Sequence, residues 1–98
     1  MKFNFKDESK KINSELKEIQ RKITKCEEFL FAEGRKREDL LQQLISAKGL
    51  QAQELSLKLA QCSEQVTQYE ENLMSHMEQY DEWDRKLQEL RQKSSQNQ

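Results

Sequence analysis

The sequence predicts an all-α fold. It is either one long coiled-coil helix over residues ~8–92 or a two-helix antiparallel hairpin turning at Gly49, in both cases assembling with further helices. Three observations carry this. Ala52, Leu55, Leu59, Cys62, Val66, Tyr69, Leu73, His76, Tyr80, Trp83, Leu87 and Leu90 follow one another at alternating steps of three and four, the a/d seam of a heptad repeat. A second ladder of the same kind precedes it: Ile12, Leu16, Ile19, Ile23, Cys26, Leu30, then the polar pair Glu33 and Arg37, then Leu40, Leu44 and Ala47. Finally, the 98 residues include no Pro and two Gly, so the strongest helix breaker is missing.

The elements follow in order. Phe3 and Phe5 alternate with Lys2, Asn4 and Lys6, which reads as an N-terminal arm over residues 1–7. Asp7 is a plausible N-cap, with Glu8 in the first turn, where the helix dipole favours an acid. The helical region spans 8–92, with a possible turn at 48–51, and residues 93–98 form a polar tail expected to be disordered. Acid-first i,i+4 pairs (Glu18 and Lys22, Glu33 and Arg37, Glu54 and Lys58, Asp81 and Arg85, Glu82 and Lys86) suit solvated helix faces, at about 0.2–0.5 kcal/mol each.

The two ladders differ in register. Leu30 and Ala52, both a positions, are 22 residues apart, one more than three heptads. A continuous helix absorbs the extra residue through eleven-residue steps by way of Leu41, and the doublets Leu40, Leu41 and Leu44, Ile45 serve both phases. A hairpin instead turns at Gly49, a residue able to take the left-handed conformation, with Lys48 near the negative helix end and Leu50 packing back on Ile45. Residues whose numbers sum to 99 then pair a with d: Leu44 with Leu55, Leu40 with Leu59, Leu30 with Tyr69, Leu16 with Trp83, Ile12 with Leu87. No Ser, Thr, Asp or Asn follows Gly49 before Ser56, and this missing cap tips the balance toward the continuous helix.

Composition bounds the function. The chain is 36% charged and 34% hydrophobic, enough for one domain without a large core. A net charge of −1 gives no reason to expect nucleic acid. No apolar run approaches the roughly 20 residues of a membrane span, and no signal peptide is read at the start. Cys26 and Cys62, both at d, are too few and too far apart for a disulfide framework, so an intracellular, cytoplasmic or nuclear, location is expected. In a parallel dimer each cysteine would meet its own copy and oxidation would cross-link the chains; in a hairpin it would not. His76 is the sole histidine and cannot build a metal site with the distant Cys62, so it reads as a polar seam residue. No phosphate loop, nucleophile elbow or Cys–His pair is present; no catalytic residue, metal or cofactor is expected, and the chain is not read as an enzyme.

The basic stretch at Arg35, Lys36 and Arg37 is flanked by Glu33, Glu38 and Asp39 and reads as a solvated face. Gly34 costs about 1 kcal/mol relative to Ala within a helix and marks the softest point of the first ladder. Phe29 and Phe31 on one ladder, and Leu57, Met74 and Met77 on the other, widen the apolar stripe beyond a/d, which calls for more than one helical neighbour. The expected oligomer interface is therefore Leu16, Ile19, Ile23 and Leu30 with Leu59, Val66, Tyr69, Leu73, Met77, Tyr80, Trp83, Leu87 and Leu90, with 69–90 as the anchoring segment and 33–37 looser. The pattern looks like the coiled-coil segments of cytoskeletal, centrosomal, chromosome-axis and vesicle-tethering proteins. It predicts a scaffold or spacer that associates with itself or with another coiled-coil protein. The alternative is a recruitment adaptor whose face, with Phe3, Phe5, Phe29 and Phe31, docks a partner. A weaker third reading is contact with an anionic membrane surface through Lys2, Phe3, Phe5, Lys6, Lys10 and Lys11.

Overall fold

The computed structural model describes residues 4–96, the last by its backbone alone. It contains two α-helices, α1 (Phe5–Ser46) and α2 (Leu50–Gln96), joined by a three-residue connection. The chain is a helical hairpin, and the continuous helix favoured by the missing cap is not formed. Gly49 does two jobs at the turn. Its φ of 64° is the left-handed conformation that ends α1 and that a side chain disfavours. Its carbonyl also accepts the first hydrogen bond of α2, from the Gln53 N–H at 3.2 Å, so Gly49 is itself the N-cap. The Ala47 N–H closes the last turn of α1 on the Leu44 carbonyl at 3.3 Å. Leu50 does not pack on Ile45: the two are 78% and 86% exposed.

The start of α1 differs from expectation as well. Asn4, not Asp7, is the cap. Its side-chain oxygen accepts from the Asp7 N–H at 3.3 Å, its amide donates to the Asp7 carboxylate at 2.9 Å, and its carbonyl takes the Glu8 N–H at 3.1 Å. This is a reciprocal cap three residues apart, and it places Asp7 in the first turn, where its charge meets the helix dipole. Phe5, Lys6 and Asp7 thus belong to α1 and not to an arm; Lys2 and Phe3 lie outside the described residues. At the other end α2 continues to Gln96, so 93–96 is helical and not a disordered tail.

Packing divides the chain into two compact units. The terminal unit combines the chain up to Thr24 with the chain from Met74 onward, and the turn unit is Lys25–Leu73. In the terminal unit Ile12, Leu16 and Leu87 form a buried cluster, with Tyr80, Trp83 and Leu90 packed against it. That grouping contains the antiparallel pairs Ile12 with Leu87 and Leu16 with Trp83. In the turn unit Cys26, Leu40, Leu55 and Cys62 are buried. No described side chain falls below 2% exposure, as expected for two helices with nothing over their outer faces. Among the described residues none of the five acid-first i,i+4 pairs is an ion pair; Glu18 instead accepts from Arg21 at 2.8 Å, one turn on.

Candidate interaction surface

The expected interface residues sort by burial. Leu16, Ile19 and Leu87 are buried; Ile23, Leu30, Leu59, Val66, Tyr69, Leu73, Tyr80, Trp83 and Leu90 are half-buried; Met77 is exposed. All but Met77 lie on the heptad seams, and α1 and α2 bring those seams together within one chain. What remains for another chain lies beside them.

In the turn unit the seam is polar at its middle. Arg37 occupies the position opposite Cys62 in the sum-99 register, yet it is exposed. Glu33, one turn earlier, is half-buried in its place. The Cys62 thiol donates to the Glu33 carboxylate at 3.0 Å and lies 3.5 Å from the Glu33 carbonyl oxygen. The hydrogen bond to Glu33, then burial, push the Cys62 thiol above its ordinary value of 9.0, because a thiolate there would face the carboxylate with little water. Cys62 is therefore held as a thiol and is a poor nucleophile. Both cysteines are free and buried. Glu33, the partner of Cys62, is part of the seam, and sequence spacing gave no sign of their contact.

Phe29 lies outside the a/d seam, as its position suggested, but is not left bare. It stacks on Tyr69 with ring centroids 3.7 Å apart and 16° between planes, joining α1 to α2 beside the seam. Of the phenylalanines read as a docking face, Phe29 is engaged in that stack, Phe5 is half-buried beside Lys6 and Lys10 in the first turns of α1, and Phe31 is strongly exposed, at 69%. Phe3 lies outside the described residues.

In the terminal unit the Lys86 ammonium sits 4.3 Å from the centre of the Trp83 ring, a cation–π contact that covers the outer face of the indole. His76 is half-buried on the seam, and its Nδ1 is buried without a hydrogen-bond partner. Among the described residues no group of three or more His, Cys, Asp or Glu is placed to hold a metal ion. No helix among them is long and apolar enough to cross a membrane.

Outside the seam, large apolar side chains are left bare: Phe31, Leu41 and Ile45 on α1, and Leu50, Leu57, Met74 and Met77 on α2. Those on α1 are not scattered. Phe31, Gly34, Glu38, Leu41 and Ile45 again step by four and three, one residue on from the seam positions Leu30, Glu33, Arg37, Leu40 and Leu44. The turn unit thus carries a second heptad-spaced stripe beside the first. A shallow hollow over Gly34, lined by Leu30, Phe31, Arg35 and Glu38, interrupts it. Comparison with protein families, with characterised proteins and with solved structures finds no match.

Proposed function

We propose that this chain is an assembly module, a helical hairpin that acts as scaffold or spacer by packing against helices of another copy or of another coiled-coil protein. The bare apolar side chains beside the seam carry the reading. A hairpin satisfies one stripe per helix, and among the described residues a second stripe of Phe31, Leu41 and Ile45 at heptad spacing is left exposed. A net charge of −1 leaves little general repulsion to oppose association. Two unpaired thiols fit a reducing intracellular compartment. The reading assigns the chain no catalysis and no cofactor.

Sedimentation equilibrium with circular dichroism on the full chain tests it. Concentration-dependent oligomers of full helicity are expected. A partly folded monomer that gains helix only when a partner is added would replace assembly by recruitment.

A further inference from the structure

We infer that the second stripe of α1 is the contact through which two copies of this chain pair antiparallel about a two-fold axis, placing α1 of one copy along α1 of the other. The inference rests on the assembly reading and names its partner and surface.

Spacing defines the face. Phe31, Gly34, Glu38, Leu41 and Ile45 occupy the positions immediately following the a and d residues, so they form one flank of α1. In an antiparallel pair the corresponding positions of the other helix lie on the same flank. On α2 these are Ser56, Ala60, Ser63 and Thr67, small and uncharged. Thr67 turns its hydroxyl back onto the Ser63 carbonyl at 3.0 Å, which leaves that side less polar still. A helix approaching this flank meets an apolar ridge and a low neighbour that is uncharged from Gln53 to Thr67, the one carboxylate on that side, Glu70, being exposed at its far end.

Gly34 identifies where the approach is closest. It lies inside α1 with ordinary helical φ, and a Cβ added to it would meet nothing within 4 Å. Neither backbone conformation nor packing within the chain requires a glycine there, although glycine weakens the helix. A second backbone lying over this position supplies the requirement, as close approach is the other use of a residue without a side chain.

Charge selects the partner. The guanidinium of Arg35 lies over the Phe31 ring, 5.7 Å from its centre, at the edge of the hollow. In an isologous antiparallel pair centred near residue 37, Phe31 of each copy falls between Leu41 and Ile45 of the other. The same register sets Arg35 of each copy against Glu38 and Asp39 of the other. One register therefore satisfies the apolar residues and both sets of charges, each contact occurring twice. A parallel arrangement in register would instead set Arg35 beside Arg35 and Glu38 beside Glu38.

Sedimentation equilibrium on the full chain, with helicity followed in parallel, tests the pairing. The wild type is expected to dimerise. Phe31→Glu should weaken the dimer at least about 100-fold with helicity unchanged. Gly34→Leu should act in opposite directions on the two readouts, raising the thermal midpoint of the dilute monomer while weakening the dimer at least tenfold. Arg35→Glu should weaken it by a similar factor, and Arg35→Glu combined with Glu38→Arg should restore it. An oligomer indifferent to Phe31→Glu and Gly34→Leu would overturn this interface and leave the assembly reading standing. A fully helical wild-type monomer at every concentration would overturn both.

Discussion

The terminal unit and the turn unit are built from the same heptad pattern, yet they solve the packing of two helices differently. The terminal unit concentrates bulk: Ile12, Leu16 and Leu87 are buried, and Tyr80, Trp83 and Leu90 close over them. The turn unit keeps Leu40 and Leu55 buried but mixes smaller and more polar groups into its seam. Cys26 and Cys62 take d positions, Glu33 answers the Cys62 thiol, and the Phe29–Tyr69 stack supplies bulk beside the seam. The turn unit is also where α1 carries a second, uncovered stripe. Large aromatics on the seam widen contact between two helices, whereas small seam residues leave apolar mass on the flanks, available to a third helix.

The largest effect should come from the terminal cluster. Leu87 is 4% exposed, so Leu87→Ala should destabilise the chain by about 2–4 kcal/mol in urea unfolding. Cys26→Ala in the turn unit removes far less side chain and should cost about 1 kcal/mol or less. Equal losses would break the contrast between a bulky and a small-residue seam.

The turn itself comes next. Gly49→Ala places a side chain at a φ of 64° and should cost roughly 1–2 kcal/mol, measured the same way. No change would mean that the hairpin does not depend on a left-handed residue at this point.

A smaller effect of opposite sign is expected in the terminal unit. His76 buries Nδ1 without a partner, so His76→Leu should raise stability by about 1 kcal/mol. A loss of stability would show that the imidazole is satisfied, by water or by a partner chain.

The Cys62–Glu33 contact gives the subtlest test, through pH. The thiol is held above 9.0 when folded, so the unfolded chain releases its proton first as pH rises. The contribution of the contact is fully present below about pH 9 and is lost as pH climbs through the raised folded value. Thiolate absorbance titrated in a Cys26→Ala background should report the raised midpoint, and Glu33→Gln should bring it back toward 9.0. An unchanged midpoint in Glu33→Gln would assign the shift to burial alone. Mild oxidation should give no covalent dimer through Cys26 or Cys62, since an antiparallel arrangement keeps each away from its own copy.

The heptad positions alone determined which residues face inward. Ile12, Leu16, Ile19, Cys26, Leu40, Leu55, Cys62 and Leu87, all on the two ladders, are the buried apolar residues, because a 3-4 spacing leaves a helix one face to hide. The sum-99 pairing was also legible in the terminal unit, where Ile12 and Leu16 share a cluster with Leu87 and Trp83, whereas in the turn unit Cys62 meets Glu33 and not Arg37. What the sequence left open is decided by contacts between residues far apart along it. Hairpin and continuous helix share the same local propensities. The choice falls to Gly49, which serves as both terminator and cap, and to seams that bury each other once the chain reverses. The missing Ser, Thr, Asp or Asn misled because a glycine backbone can occupy the cap without a side-chain acceptor. The Cys62–Glu33 bond, the Phe29–Tyr69 stack and the buried Nδ1 of His76 were invisible for a different reason. Each depends on which neighbour across the seam leans in and which, like Arg37, turns out to water. Heptad spacing does not encode that choice, and side-chain packing in three dimensions settles it.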